Sequence, residues 1–268
     1  MSGIDREVEY YERTKVDKRL IKIKDEDLFK AIEEVFDHRT LLNVQKLMRK
    51  GIIKELRGAV AQGKEAKVFW GIGPNGEDLA IKIFYVETAD FIKGRYKYIE
   101  GDPRFEDLKR NPRKLICAWC SKEFRNLKLA YEAGVRVPKP VAVLENILVM
   151  EFISLGDKRG VPAPLIKDYP PEDIEKAYWT IIDYVKKAYV NGGIVHADLS
   201  EYNVLNTGTE LVIIDWGSAV KNNHPLAKEF LKRDITNITR FFTKLGLSDV
   251  DVEEIYREIL EEAGESEE

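Results

Sequence analysis

The sequence predicts an α+β protein of two lobes, a small β-rich one and a mainly helical one, with a helical extension in front. Three observations predict it. Between residues 66 and 150, short apolar runs of strand character alternate with glycine and proline turns. From Ile174 onward, apolar residues recur at helical spacing. Ahead of both, Asp37 and Gly51 bracket a short helical pattern. The boundaries fall at 1–57 for the extension, 58–150 for the small lobe and 151–268 for the helical lobe.

The extension reads as two helices. The first begins at Asp25 and places Leu28, Ile32, Val35 and Phe36 on one face. Asp37 caps the second, which carries Leu41, Val44, Leu47 and Met48 and stops at Gly51. Such a pair also fits a helix-turn-helix reader of DNA, but short helical pairs are more often packing units. Strand segments follow at 66–70, 78–84 and 140–150, with an aromatic and basic stretch over 91–107 and a helix over about 112–133 between them. A proline-rich connection at 161–171 leads to a long amphipathic helix bearing Ile174, Ala177, Ile181, Val185 and Ala188. Short strands near Ile194, Val204 and 211–214, closing helices and a frayed acidic tail over 265–268 complete the chain.

The bulk properties set limits. A chain of 268 residues holds two packed lobes and a short extension, not several independent domains. A hydrophobic share of 44% excludes wholesale disorder. The net charge of −4 gives no whole-protein attraction to nucleic acid, so any such contact rests on local basic patches. Two cysteines exclude a disulfide scaffold and fit a reducing compartment. The charged N-terminus has no apolar leader core, and no stretch approaches the ~20 apolar residues of a membrane span. A cytoplasmic protein without membrane attachment is expected.

The strongest chemical signal is HADLSEYN from His196 to Asn203, followed by IIDWG from Ile213 to Gly217. Phosphoryl transfer needs positioned reactants and cations more than covalent help. Asn203 and Asp215 are the oxygen ligands that Mg²⁺ prefers, and Asp198 can take or orient the proton of a nucleophile. Each residue alone is an ordinary loop or strand-end polar group. All three, in this order behind a histidine, are not.

Lys82 interrupts the apolar strand LAIKIF, so it is exposed on one face or paired. The functional reading is contact with ATP phosphates; the bland one is an edge-strand lysine. Glu123 lies on the helical stripe Ile116, Trp119, Glu123, Leu127 and Ala130, where a carboxylate is costly without a cation. Lys82 is the obvious partner, with Arg113 or Lys122 as local alternatives. The run from Gly58 to Glu65 nearly matches a P-loop, but Glu65 replaces the hydroxyl that holds Mg²⁺ and a strand follows instead of a helix. It fits better as a glycine flap between strands, with Gly63 and Lys64 as candidate phosphate contacts. Cys117 and Cys120 form one C-x-x-C without a second pair, and Cys120 reads as packing, as do His38 and His224.

The Asp198-to-Asn203 interval matches the catalytic loop of protein kinases, and Asp215 stands where their metal-binding aspartate stands. By position, Met150, Glu151 and Ile153 correspond to the kinase hinge, where backbone groups of Glu151 and Ile153 would meet adenine. Together with the GKEA run at Gly63, His224-Pro225, Glu229 to Leu231, Arg233-Asp234 and Asn237-Ile238, the chain resembles the RIO atypical protein kinases. Val35 to Asp37, Arg39 to Leu41, and Lys93 to Phe105 are similar to its first, Rio-one, subfamily and suggest an archaeal member. The similarity runs over 25–245, with the domain itself at about 52–245.

The resemblance implies a bilobal protein-kinase-like fold, and ATP with Mg²⁺, Mn²⁺ being a possible substitute. It also implies serine autophosphorylation, ATPase activity and a role in maturation of the small ribosomal subunit. It makes Asp198 the proton acceptor and Asp215 a residue that can carry an aspartyl phosphate. The pre-ribosomal small subunit or its RNA is the implied partner, and no protein substrate beyond the chain itself is indicated.

Ser200 departs from ordinary kinases, which carry a lysine there. Trp216 replaces the usual phenylalanine. Only 53 residues follow Asp215, which predicts no peptide-docking subdomains. The basic-aromatic loop from Lys93 to Tyr98, with Arg104, Lys109, Arg110 and Arg113, can contact RNA or gate the nucleotide. Two other readings fit part of the pattern: a small-molecule phosphotransferase of the aminoglycoside or choline kinase type, and a nucleotide-sensing binding module in ribosome assembly.

Overall fold

The computed structural model describes residues 36–86, 98 and 111–265. The expected first helix up to Val35 lies outside them, as does the basic-aromatic loop apart from Tyr98. The described chain forms two compact units. One runs up to Lys122 and resumes over Pro140–Pro162; the other comprises Glu123–Lys139 and the chain from Ala163 onward.

In the first unit, α1 (His38–Arg49) starts where expected. The Asp37 carboxylate accepts from the Thr40 N–H at 2.8 Å, and Gly51, at φ 71, ends the turn beyond the helix. Five antiparallel strands follow: β1 (Glu55–Gln62), β2 (Ala66–Ile72), β3 (Asp78–Phe84), β4 (Pro140–Leu144) and β5 (Ile147–Glu151). Their spatial order is β1-β2-β3-β5-β4. Strand alternation sends Leu79, Ile81 and Ile83 to one face, where Phe69, Ile147 and Val149 join them. Leu41, Val44 and Leu47 of α1 cover that face. Each such side chain contributes about 1.5–3 kcal/mol on full burial. The opposite face carries Trp70, Ala80 and Phe152, with Val60, Val68, Ile72 and Met150 half-buried around them.

One expectation needs correction. The single strand run over 140–150 is a hairpin, with Glu145 at φ 51 and a fully buried Asn146 in its turn. The Asn146 amide donates to the Phe84 carbonyl at 2.9 Å and to the Thr40 hydroxyl at 3.0 Å. Those bonds support a turn that has neither glycine nor proline.

Helix α2 (Pro112–Glu132) begins with proline at its first position, and the Asn111 side chain accepts from the Lys114 N–H. It passes from the first unit to the second after Lys122. The second unit contains α3 (Ile174–Val190), the paired strands β6 (Ile194–Val195) with β9 (Val220–Lys221), and β7 (Val204–Asn206) with β8 (Leu211–Ile213). Helices α4 (Ala227–Lys244) and α5 (Val252–Glu262) follow. Asp173 caps α3 and Asp251 caps α5. Tyr178, Ile181, Phe230, Ile238, Phe242 and Ile259 form part of its buried interior.

The tail also differs from expectation at its first residue. The Glu265 N–H donates to the Leu260 carbonyl, and its carboxylate accepts from the Tyr189 hydroxyl at 2.8 Å. Among the described residues, no helix is long and apolar enough to cross a membrane.

Candidate active site

On the first unit, the candidate nucleotide contacts ride on strands. Lys82 faces Val68 on β2 and Leu148 on β5, and shares the face of Ala80 because it lies two residues further along β3. It is half-buried, and its ammonium stands 4.9 Å from the centre of the Phe84 ring. Met150 is the cross-strand partner of Ala80. Val60, Val68, Ala80 and Met150 thus form an apolar patch of the kind that receives a flat heteroaromatic ring.

The backbone beside Met150 follows from the same alternation. The Phe152 N–H donates to the Asp78 carbonyl at 3.1 Å, toward β3. The Glu151 carbonyl, across the same peptide, therefore turns toward the opposite edge, and the buried Ile153 follows just past the strand. At the other end, the Gly63 N–H donates to the Ala66 carbonyl at 2.9 Å and closes the β1–β2 turn. That group is already used within the turn, whereas the Lys64 side chain is exposed.

On the second unit, the candidate groups sit on turns. The His196 Nε2–H donates to the Ile214 carbonyl at 3.0 Å, and the ring meets Trp216 edge-on at 4.7 Å. Burial pushes the imidazole below its ordinary pKa, so the ring is neutral and acts as a strut. Ala197 follows at φ 66 and Asp215 stands at φ 64, left-handed conformations that cost a residue with a Cβ. Asp198 and Asp215 are both exposed. Asn203 links them: its amide donates to the Asp198 carbonyl at 2.7 Å, while its own carbonyl accepts from the Ile214 N–H at 2.9 Å. Ser200, in the position of the missing lysine, starts the turn by accepting from the Asn203 N–H at 2.9 Å.

Two anchors went unassigned in the sequence. Asp234 of α4, 1% exposed, accepts from the Ala197 N–H at 2.7 Å and the Leu199 N–H at 3.0 Å, and so holds both sides of Asp198. Arg233 donates to the Ala197 carbonyl. Burial pushes the Asp234 carboxyl up to about 7, although both N–H groups favour its ionised form. Asn126 of α2 donates to the Trp216 and Ala219 carbonyls at 3.0 and 2.9 Å, and fixes the chain just past Asp215. Both are polar residues on apolar helical stripes, the same signal that singled out Glu123, which is 2% exposed. Lys82 belongs to the first unit and Glu123 to the second.

The second unit therefore presents two exposed carboxylates and an asparagine amide on two segments, the turn from Asp198 to Asn203 and the chain after β8, which a hydrogen bond joins. These are the hard oxygen donors that suit Mg²⁺, which takes few protein ligands and completes its shell with phosphate and water. Arg113 is committed elsewhere, to Asp37 and Glu145, which withdraws it from the basic patch expected to meet RNA.

A five-stranded antiparallel sheet bearing an inward lysine, and a helical unit presenting this turn, define the protein-kinase-like fold. Residues 67–255 match the model of the RIO domain. The chain belongs to the RIO family. It is 41% identical over 245 residues to the RIO-type serine/threonine-protein kinase Rio1 of Haloferax volcanii, covering 91% of this chain and 82% of that one. To the Rio1 of Methanocaldococcus jannaschii it is 43% identical over 235 residues, covering 87% and 78%. With the human serine/threonine-protein kinase RIO1 it shares 37% identity over 88% of its own length but spans only 42% of that protein. The chain is thus an atypical protein kinase, a phosphotransferase. A Rio2 kinase from Chaetomium thermophilum, solved as an ADP/Mg²⁺-phosphoaspartate complex, shares the fold at a TM-score of 0.61 and 19% identity, over 85% of this chain and 67% of that one.

Proposed function

We propose that this chain is an ATP- and Mg²⁺-dependent serine/threonine protein kinase that also hydrolyses ATP, autophosphorylates on serine and acts in the cytoplasm in maturation of the small ribosomal subunit. Its lobes would be 58–150 and 151–268, behind an extension over 1–57. The observation that carries the reading is the Asn203 bridge, which joins the Asp198 main chain to the residue before Asp215.

In this reading, the patch of Val60, Val68, Ala80 and Met150 receives adenine, and the Glu151 carbonyl and Ile153 N–H meet its polar edge. Lys82 takes the phosphates, Glu123 is its functional counter-charge, and Lys64 with the Gly63 turn covers the triphosphate. Asn203 and Asp215 hold the metal, which supplies neutralisation of phosphate charge. Asp198 accepts the proton of the attacking hydroxyl or water. Asp215 can also attack the γ-phosphorus itself, forming an acyl phosphate as the bond to the ADP oxygen breaks. Water or a serine hydroxyl then takes the phosphoryl group. The phosphoaspartate in the Chaetomium structure supports formation of such an acyl phosphate. Support for the ribosomal partner comes from family resemblance.

Asp198→Ala tests the assignment. Loss of general-base catalysis is worth about 10²–10⁴-fold, so phosphate release and autophosphorylation should collapse while ATP binding by calorimetry persists. Undiminished turnover would remove Asp198 from the mechanism. Co-sedimentation with small-subunit precursors, dependent on bound nucleotide, tests the partner.

A further inference from the structure

Asp78, the first residue of β3, joins two distant parts of the first unit. The Trp70 indole N–H of β2 donates to its carboxylate at 2.9 Å. Arg159, from beyond β5, forks onto both oxygens of the same carboxylate, each at 2.9 Å, and donates to the Gly76 carbonyl at 2.7 Å. Burial alone would raise the Asp78 carboxyl, yet the hydrogen bonds from Arg159 and Trp70 hold it below its ordinary range.

Arg159 lies in a short loop after β5. The Ser154–Pro162 bridge closes the loop at its base, and the Leu155 N–H donates to the Val161 carbonyl at 3.0 Å. Gly160 in this loop has φ 72, and a Cβ there would stand 2.6 Å from the Trp70 ring. The bare backbone at Gly160 is therefore pressed on the indole. The Arg57 guanidinium stands 5.1 Å from the centre of that ring, and the Phe152 ring 6.4 Å away. The indole, 9% exposed, is thus fixed at its N–H by Asp78 and along its ring by the loop that Arg159 ties down.

What the indole bounds is the apolar patch of the sheet. Trp70 faces Ala80 across β2 and β3, as Met150 faces Ala80 across β3 and β5. Val68 faces Lys82 two residues along. Trp70 therefore belongs to the end of the patch assigned to the base, and Val68 to the end nearer the lysine. A displaced indole would alter the seat of a flat ring while leaving the lysine where its ladder holds it.

We propose that Trp70 is the end wall of the patch that receives adenine and that Arg159 is its positioning residue, clamping Asp78 so that the loop after β5 stays closed on the indole. This rests on the adenine reading given above.

The experiment compares binding of ADP and of inorganic tripolyphosphate, both with Mg²⁺, by calorimetry on the full chain. Arg159→Ala should weaken ADP about fivefold, the upper range for an exposed ion pair, and tripolyphosphate less than about twofold. In turnover, KM for ATP should rise by a similar factor with kcat nearly kept. Arg159→Lys, which cannot fork, should lose part of the affinity. Gly160→Ala, which pushes on the indole without altering a charge, should reproduce the selective loss. In Trp70→Phe, which has no N–H for Asp78, Arg159→Ala should change ADP binding less than about twofold. Unchanged ADP affinity in Arg159→Ala, equal losses in both backgrounds, or parallel loss of ADP and tripolyphosphate would overturn the clamp and leave the adenine patch standing. Val60→Trp, which fills the patch, should weaken ADP about tenfold; an undiminished affinity there would overturn the adenine reading and the clamp together.

Discussion

In the first unit, the groups assigned to the nucleotide ride on strands; in the second, those assigned to the transfer chemistry sit on turns. The difference decides how each is held. Lys82, Ala80 and Met150 point where they do because a strand alternates, and the ladder that fixes them has many equivalent bonds. Asp198, Asn203 and Asp215 have no such lattice. Their backbone is irregular, twice left-handed, and depends on a few buried side chains from distant helices. A sheet spreads the work of orientation over a ladder, whereas a turn concentrates it in single residues.

The contrast breaks most visibly at Asp234. Asp234→Ala leaves the Ala197 and Leu199 N–H groups buried without their acceptor, each costing about 1–3 kcal/mol. The unfolding midpoint in denaturant should drop accordingly, and turnover should drop with it; retained activity would show that the turn holds itself. Asn126→Ala is expected to be milder, about 1–2 kcal/mol, because under-satisfied carbonyls are tolerated better than N–H groups. Its turnover loss should still exceed its stability loss.

The Asp234 carboxyl also gives a pH signature. Its folded-state value, about 7, lies above the ordinary 3.8, so the native state keeps a proton that the unfolded chain releases. Its contribution to stability is full below about pH 4 and declines as pH rises through 7. Asp37, Asp78 and Glu145 are shifted the other way, so their contribution is present above their ordinary values and fades as pH falls through the folded ones. Burial of neutral His196 adds the opposite slope below its ordinary value, so the signature is a difference: between pH 4 and 8 the unfolding free energy of the native chain should fall relative to that of Asp234→Asn. A slope unchanged by the substitution would assign it to another group.

The smallest effect is expected on the strand side. A Cβ at Gly63 would lie 3.7 Å from the Ala66 carbonyl oxygen, an ordinary contact, and Gly63 lacks the positive φ that demands glycine. Gly63→Ala should therefore stabilise the fold by about 0.4–1 kcal/mol. A rise in KM for ATP in that variant would show that the flap needs the bare backbone for phosphate.

What could be read from the sequence follows the same division. Strand β3 fell where its alternation put it, α2 ended at Glu132 against an expected 133, and Asp37 capped α1. Lys82 and Glu123 stood out because a charge on an apolar stripe demands an explanation. The turn at Glu145 and Asn146 escaped because it has no glycine or proline; its support comes from Thr40, 106 positions away. Asp234 and Asn126 carried the same stripe signal, but their partners are backbone groups 35–37 and 90–93 residues distant. No local period encodes such a pairing. Glu265 resisted fraying for a similar reason, since its hydroxyl partner, Tyr189, is on α3.

Ala197 has a consequence for anyone evolving this enzyme. A methyl group at φ 66 is strained, and glycine would relieve about 1 kcal/mol of that while adding a comparable entropy to the unfolded chain. Selection for heat resistance would hardly notice the exchange. Selection for rate would, because the freed backbone lets the neighbouring carboxylate wander. A library scored on melting alone would thus let sluggish catalysts pass at this one codon.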